Sequence, residues 1–419
     1  MTTSQTPADS VTINAARLND TLTALGQIGN TDEGMQRVAF SPLDVAGRDY
    51  VMELMRRAGM AVRIDAAGNI IGRVEGSGGS LPAIALGSHT DTVPAGGQYD
   101  GALGVIAAIE VVQALKDAGH TTRHPLEVMV FTNEEGTSFH RWLLGSRAVA
   151  GLWEAEDFAA VADDGATLAS RLPDIGGNIS HIEEARRRPD ELACYLELHI
   201  EQGPTMHRGG YPIGIVTGIT GRSVYHVDIV GEANHAGTTP MGMRKDAMSA
   251  AAQIALKVRS IAGEMEICRV GTVGSMEVHP NAGNVIPGRV QMGIEFRDER
   301  MESLAAAEVE LRRTAEEVGH AEQVGIAVTA QRNTPAVPIS GNMRQLVTDA
   351  AEVAGLAHIN LPSGAGHDAQ AIASITPSAM IFVPSVNGIS HAPAEFSAPE
   401  DCANGTQVLM NALLMADAR

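Results

Sequence analysis

Four stretches of the chain place histidine or acidic residues directly after an apolar run. They are "GSHTDTVPAGGQYDG", "VFTNEEGTSFH", "LELHIEQGP" and "SVNGISHAPAEF". The side chains that can do chemistry in these stretches are His89, Asp91, Asp100, Glu134, Glu135, His199 and His391. Because ligands of α/β sheets bind beyond the carboxyl ends of the strands, we expect these side chains to meet at one site.

This set of side chains indicates a metal centre. Two adjacent carboxylates, Glu134 and Glu135, are costly to bury unless a positive charge neutralises them. Imidazole nitrogens together with carboxylate oxygens suit zinc, manganese, cobalt or nickel, and one carboxylate can bridge two ions. A single histidine is more often a packing or surface residue, but four such loops in one chain favour a site for two divalent metal ions.

Composition restricts the classes of partner. The 419-residue chain has 50 acidic and 30 basic side chains, a formal net charge of −20, which disfavours nucleic acid and anionic membranes. The N-terminal residues lack the pattern of a secretory signal, and no apolar run is as long as a membrane span, so we expect a cytoplasmic protein. The cysteines, Cys194, Cys268 and Cys402, are too far apart in sequence for a CxxC motif and predict reduced, packed thiols.

The order of the predicted helices and strands indicates a larger, discontinuous domain that contains a second, inserted domain. From Val11 to about Met206, amphipathic helical stretches alternate with short apolar runs, which indicates an α/β sheet covered on both faces. Beyond Gly209 the order becomes βαββαβ, the ferredoxin-like split unit, and after about Thr334 the α/β pattern resumes. We predict a catalytic α/β domain with a large mixed sheet, formed by residues 1–209 and 334–419, and an inserted ferredoxin-like domain at 210–333.

Several motifs resemble those of one family in their order along the chain. They are "GSHTDTVPAGGQYDG", "TNEEGTSF", "ELHIEQGP", "GEANHAGTTPM", "NVIPG", "FRDER", "GAGHDA" and "SHAPAEF". In these motifs the chain resembles the M20-type metallopeptidase and amidohydrolase superfamily, in its amidase, hydantoinase and carbamoylase branch. That branch includes N-carbamoyl-L-amino acid hydrolases, allantoate amidohydrolases and β-ureidopropionases. "ELHIEQGP" and "GAGHDA" distinguish it from ordinary M20 exopeptidases.

The resemblance implies a role for each residue of the metal centre. It implies that His89, Asp100 and His199 hold one metal ion and that Asp100, Glu135 and His391 hold the other, with Asp100 as the bridge. Glu134 is then the general base and acid, which takes a proton from the attacking water and delivers it to the leaving nitrogen. Asp91 is expected to accept the other N–H of His89 and fix its tautomer.

The same resemblance implies substrate-binding residues. His235 is expected to polarise the scissile carbonyl, acting in the site of the neighbouring subunit, while Asn284 and Arg297 hold the substrate carboxylate. Arginine suits this task because its planar fork pairs a carboxylate through two hydrogen bonds. Gln202 and His367 are expected to complete the site.

The implied reaction is hydrolysis of the ureido C–N bond of an N-carbamoyl-L-amino acid, which gives the L-amino acid, ammonia and carbon dioxide. Allantoate is an alternative substrate, because it also carries a ureido group beside a carboxylate and "GEANHAGTTPM" fits both readings. β-Ureidopropionate is the next alternative, because it differs by one methylene, which changes binding by only about 1–3 kcal/mol. A dipeptidase and a non-catalytic binding protein are alternatives outside the branch. The family also implies a homodimer formed through the inserted domain.

Overall fold

The computed structural model describes residues 11–419, and several of its helices carry local sequence signals at their first residues. The side chain of Ser41 accepts the backbone N–H of Asp44, and Pro42 follows it directly, which begins the second helix. The α-helices, α1 to α12 in chain order, are Ala15–Gln27, Pro42–Arg57, Ala102–Asp117, Leu144–Val149, Ala155–Phe158, Leu168–Arg171, Thr205–Gly209, Ala247–Gly263, Met301–Glu322, Gly341–Val353, Asp368–Ile372 and Pro399–Asp417.

The strands with continuous apolar sequence are buried along their whole length. The strands, β1 to β17 in chain order, are Asn30–Thr31, Gly34–Met35, Ala61–Ile64, Ile70–Val74, Ala83–His89, Leu126–Phe131, Leu192–Ile200, Ile213–Ile219, Gly221–Val230, Asn234–His235, Val270–His279, Val285–Ile286, Arg289–Asp298, Gly325–Thr334, Val337–Pro338, His358–Ser363 and Ser378–Val383. Every residue of β5, β6 and β17 is buried, as expected of central strands covered by helices on both faces.

The chain divides into two compact units. Of the described residues, unit 1 contains those up to Thr217 together with Ile339–Arg419, and unit 2 is Gly218–Pro338. The bounds predicted from sequence for the insert, 210–333, therefore lie a few residues before these at both ends. Residues 1–10, which the predicted first domain includes, lie outside the described residues.

The central strands of unit 1 belong to a nine-stranded sheet. Its strand order is β15-β8-β17-β7-β5-β6-β4-β3, with β16 paired to β8. The central strands β17, β7, β5 and β6 are parallel to one another, whereas β4 and β8 join this block antiparallel. The predicted α/β fold with a large mixed sheet is confirmed. Because the four central strands are parallel, their carboxyl ends meet at one edge of the sheet.

Unit 2 has its own sheet and its own core. Its main elements follow the order β9, α8, β11, β13, α9 and β14, and the four strands pair antiparallel in the order β11-β13-β9-β14. Alternate residues of β9 and β13 are buried and pack with α8 and α9, as the two-residue period of a half-covered sheet requires. A separate two-stranded ribbon pairs β10 with β12.

No helix among residues 11–419 is long and apolar enough to cross a membrane.

Candidate metal centre and active site

The seven residues singled out from the four sequence stretches lie at the carboxyl edge of the parallel strands of unit 1. His89 is the last residue of β5, and His199 lies at the end of β7. Glu134 and Glu135 follow β6, and His391 follows β17. The convergence expected from parallel strand ends is therefore present in the structure.

Asp100 lies at the centre of this group. Its Oδ1 is 3.1 Å from Nε2 of His199 and 3.7 Å from Nε2 of His89, and its Oδ2 is 3.0 Å from Nε2 of His391. Two sets of potential metal ligands share this carboxylate, namely His89 with His199 and Glu135 with His391, and the ligand atoms within each set lie within 4.8 Å of one another. Asp100 is thus placed to bridge two cations.

The buried imidazoles present their Nε2 atoms to Asp100. Nδ1 of His199 lies 2.9 Å from the backbone oxygen of Ile200, and Nδ1 of His89 lies 3.0 Å from the backbone oxygen of Asp91. Because a carbonyl oxygen only accepts hydrogen bonds, each Nδ1 carries the proton and each Nε2 keeps a lone pair in the neutral ring. This orientation fits a metal ligand.

The adjacent glutamates face different parts of the centre. Oε2 of Glu135 is 3.5 Å from Nε2 of His391, while Oε2 of Glu134 is 3.6 Å from Nε2 of His89. Oε1 of Glu135 is buried and has no hydrogen-bond partner among the described residues. Such an oxygen is costly in the protein alone and fits a site that receives a cation.

The electrostatics of the cluster also fit bound cations. Burial raises the pKa of Glu134 and of Glu135 well above the usual value, and neighbouring carboxylates raise it further. Burial also opposes ionisation of Asp100, but hydrogen bonds with His199 and His391 hold its pKa well below the usual range. The hydrogen bond with Asp100 raises the pKa of His391 to about 9. Among residues 11–419, only histidines form ion pairs with these three carboxylates.

Asp91 contacts the glutamates more closely than it contacts the imidazole. Its carboxylate accepts the backbone N–H groups of Glu134 at 3.2 Å and Glu135 at 3.3 Å. Oδ1 of Asp91 is 3.8 Å from Nδ1 of His89, beyond hydrogen-bond distance, so the backbone oxygen of Asp91 holds that ring. The carboxylate therefore fixes the turn that carries the glutamates.

Gly101 shows how closely the chain packs around the first histidine. It has a φ of 63°, in the left-handed region, and a Cβ at this position would overlap the ring of His89. Only glycine meets both conditions without strain. This glycine immediately precedes α3 and follows Asp100, so it fixes the direction in which the central carboxylate enters the site.

Gln202 lies in the metal centre, whereas His367 lies behind it. Nε2 of Gln202 donates to Oδ2 of Asp100 at 2.7 Å, and its Oε1 is buried with no partner among the described residues. His367 is 1% exposed, its Nε2 lies 2.7 Å from Oγ of Ser363, and its ring contacts that of His199 with centroids 4.4 Å apart. This position supports His199, and the contact of His367 with substrate stays a prediction.

The remaining predicted residues belong to unit 2. His235 and Asn284 are exposed and adjoin across the β10-β12 ribbon, where Ala236 N–H donates to the backbone oxygen of Asn284. Arg297 is partly buried on β13, and its Nε donates to Oε1 of Glu295 at 2.5 Å. Glu295 also accepts from Arg222. These three predicted substrate residues are thus held by local contacts of unit 2.

Sequence reasoning did not identify two buried glutamates beside the metal ligands. Glu197, two residues before His199, accepts from the hydroxyls of Ser88 at 3.0 Å and Tyr195 at 3.2 Å and from the N–H of Ala369 at 2.9 Å. Since these donors already occupy Glu197, we assign no metal to the ligand set of Glu197, His199 and His367. The sequence signal that could have identified Glu197 is a charged residue within a buried strand. The second of the two buried glutamates is Glu395, in "SHAPAEF".

A largely buried centre of three imidazoles and three carboxylates at the carboxyl edge of a mixed sheet is typical of a metal-dependent hydrolase. The chain belongs to Peptidase family M20/M25/M40, whose profile matches residues 85–415.

Known relatives place the chain in the branch that the sequence motifs indicated. It is 40% identical over 400 residues to the N-carbamoyl-L-amino acid amidohydrolase of Geobacillus stearothermophilus, covering 95% of this chain and 97% of the relative. It is 36% identical to the ureidoglycolate hydrolase of Arabidopsis thaliana, covering 96% of this chain and 86% of that one. A solved amidase of the hydantoinase/carbamoylase family from Burkholderia multivorans superposes with a TM-score of 0.92 at 35% identity, covering 98% and 99% of the two chains. The predicted resemblance is confirmed.

Proposed function

We propose that this protein hydrolyses the ureido C–N bond of N-carbamoyl-L-amino acids and releases the L-amino acid, ammonia and carbon dioxide. The observation that carries the proposal is the position of Asp100, whose two carboxylate oxygens face separate sets of potential metal ligands. The similarity to an N-carbamoyl-L-amino acid amidohydrolase over almost the whole chain supports this substrate class.

The residues that would hold the metal ions follow from the two ligand sets. His89 and His199 would bind one divalent ion, Glu135 and His391 the other, and Asp100 both. Zinc, manganese, cobalt and nickel all accept this combination of nitrogen and oxygen ligands. When bound, such ions polarise the scissile carbonyl and lower the pKa of water.

Glu134 is the proton carrier in this proposal. It adjoins the ligand Glu135 but faces His89, so its carboxylate is available to the attacking water. Glu134 takes one proton from the water as the oxygen attacks the carbamoyl carbon, and it gives that proton to the amine nitrogen as the C–N bond breaks. The amino acid and carbamic acid are formed, and the carbamic acid decomposes to ammonia and carbon dioxide.

His235, Asn284 and Arg297 are the proposed residues for substrate recognition. Nδ1 of His235 accepts the N–H of Gly237 at 3.0 Å, so the proton of the neutral ring is on Nε2. That N–H suits a donor to the scissile carbonyl, in the site of the partner subunit. Asn284 and Arg297 would bind the substrate carboxylate. Gln202 would orient the substrate next to Asp100, and His367 would complete the site.

Ureidoglycolate and allantoate form a second substrate class. A relative named ureidoglycolate hydrolase favours the first of these. Like N-carbamoyl amino acids, both carry the ureido group on the carbon atom that bears the carboxylate. The residues proposed to bind that carboxylate, Asn284 and Arg297, can therefore bind all three compounds. β-Ureidopropionate has one methylene more between these groups. Dipeptides and simple binding without turnover are the alternatives outside the branch.

The proposal extends to assembly and location. The βαββαβ order of unit 2 supports a ferredoxin-like inserted domain, and we propose that it forms a homodimer that brings His235 to the partner's site. Unit 1 is then the catalytic domain. We propose a cytoplasmic enzyme whose partners are its small substrate and its own second copy, not nucleic acid or membranes.

A substrate panel tests the reaction and the substrate class together. Manganese-loaded protein is assayed for ammonia release from N-carbamoyl-L-methionine, ureidoglycolate, allantoate and β-ureidopropionate, and for amino acid release from dipeptides. The highest kcat/KM is expected for the N-carbamoyl-L-amino acid. A preference for ureidoglycolate or allantoate would show that the protein acts on the second substrate class. Cleavage of dipeptides alone would contradict hydrolysis of a ureido bond.

A further inference from the structure

We infer that Glu395 is a positioning residue that sets the affinity of the second metal site, formed by Asp100, Glu135 and His391. This inference rests on the metal centre of the proposed function. Glu395 is not a metal ligand in that scheme. It acts on the ligands through their backbone.

The carboxylate of Glu395 joins two distant loops. Oε1 accepts the N–H groups of Tyr99 at 2.9 Å and Asp100 at 3.0 Å. Oε2 accepts the hydroxyl of Ser390 at 2.8 Å and the N–H of His391 at 3.3 Å. Glu395 is 5% exposed, so all four donors meet a buried carboxylate. One side chain therefore fixes the bridging aspartate and the last metal ligand relative to each other.

Glu395 should act on the second site more than on the first. In the first site His89 and His199 belong to strands and are held by the backbone oxygens of Asp91 and Ile200. His391 belongs to no helix or strand, and its side chain is 48% exposed. It has a φ of 55°, a conformation that non-glycine residues keep only when other contacts impose it. The bond from its N–H to Glu395 is such a contact.

Gly97 offers a second way to displace this carboxylate. A Cβ on Gly97 would overlap Cδ, Oε1 and Cβ of Glu395. The φ of Gly97 lies outside the left-handed region, so its backbone conformation does not require glycine. The closest obstacle to a side chain at this position is therefore Glu395 itself. Substituting Gly97 by alanine should displace the carboxylate without changing any charge.

Glutamine at position 395 cannot accept all four of the hydrogen bonds that Glu395 accepts. A carboxylate offers acceptors on both oxygens, whereas an amide offers one oxygen and an NH₂ group that only donates. Whichever way the amide turns, either the N–H pair of Tyr99 and Asp100 or the donors of Ser390 and His391 face that NH₂ group. At least one of these N–H groups then loses its acceptor, and the loop that carries it is expected to shift.

The experiment measures Mn²⁺ binding by the metal-free full chain, by calorimetry and by electron paramagnetic resonance, with no substrate present. For the unmodified protein we expect two ions per chain and a signal of two coupled Mn²⁺ ions. For both Glu395→Gln and Gly97→Ala we expect the second ion to bind about 10–100-fold more weakly, with the first nearly unchanged. The coupled signal should return only at high Mn²⁺ concentration.

Two matched variants control for general loss of stability. Asp417 is also a buried carboxylate that accepts two successive N–H groups, those of Arg123 and His124, but these lie before the amino end of β6. A Cβ on Gly341 would meet no atom within 4 Å. We expect Asp417→Asn and Gly341→Ala to bind both ions as the unmodified protein does.

The possible results separate this inference from the proposed function. It is overturned if both Glu395→Gln and Gly97→Ala bind two ions normally, if both sites weaken equally, if Asp417→Asn weakens the second ion to the same degree, or if the unmodified chain binds fewer than two ions. If metal binding behaves as expected but no ureido acid is cleaved, the substrate assignment fails while the role of Glu395 stands.

Discussion

The candidate residues of unit 1 are mostly buried and contact one another, with His391 as the exposed exception, whereas two of the three in unit 2 are exposed and all three are held by local contacts. In unit 1, the carboxylate oxygens of Asp100 lie within 3.7 Å of the Nε2 atoms of three different imidazoles. In unit 2, His235 and Asn284 are exposed side chains at a short two-stranded ribbon, and Arg297 pairs with a glutamate of its own strand.

This difference indicates a division of labour. Carboxylates and imidazoles at such short distances fit bound cations, and several of them lie at strand ends, so unit 1 is suited to the reaction itself. Exposed donors on a ribbon and an arginine fork are suited to recognising a substrate. Variants of the metal-centre residues of unit 1 should therefore lower kcat or metal content, and variants of Asn284 and Arg297 in unit 2 should mainly raise KM.

The largest effect is expected for Asp100→Asn. The amide loses one of the two oxygens that face the two ligand sets, and it places an NH₂ group against an imidazole or a cation. Ammonia release should fall below detection, and the bound metal measured by atomic emission should fall with it. An Asp100→Asn variant that keeps both ions and its turnover would show that this carboxylate is not the bridge.

The next effect separates the two adjacent glutamates. Glu134→Gln removes the proposed proton carrier but no ligand, so kcat should fall by about 10²–10⁴-fold with metal content unchanged. Glu135→Gln is the matched variant, and it should lose one metal ion. Measuring kcat and bound metal for both variants checks the assignment, and the reverse pattern would exchange the two roles.

A smaller effect is expected in unit 2. Arg297→Lys keeps the charge but loses the planar fork, and hydrogen bonds to charged groups contribute about 1.5–3 kcal/mol, so KM should rise by roughly 10–100-fold with little change in kcat. Arg222→Lys, which also removes a guanidinium beside Glu295, is the control and should change KM less. Equal effects of the two substitutions would assign Arg297 to the ion pair alone.

The smallest effect on activity is expected at the opposite end of the strands. Asp417→Asn leaves the N–H of Arg123 or His124 without its acceptor, which should lower the free energy of unfolding by about 1–3 kcal/mol. Chemical denaturation measures this loss, and kcat/KM of the folded protein should not change. A marked fall in kcat/KM would show that catalysis depends on more than the carboxyl edge of the sheet.

The sequence predicted the sheet and the convergence of its strand ends because apolar runs and parallel topology leave strong patterns. His89, His199 and Glu135 stand out because histidines or acids follow buried strands. The role of Glu395 was not predictable, since three of its four partners are backbone N–H groups, those of Tyr99, Asp100 and His391, and every residue except proline has such a group. The turn of Asp91 towards the glutamates likewise depends on backbone positions that its residue type does not determine.

The most direct test of metal-dependent ureido hydrolysis is ammonia release from an N-carbamoyl-L-amino acid by metal-free protein as Mn²⁺ is added in measured equivalents. We predict no turnover without metal, a rise that reaches its plateau at about two ions per chain, and loss of activity after chelation. Ammonia release that is unaffected by chelation, or none from any ureido acid at full metal occupancy, would contradict the account.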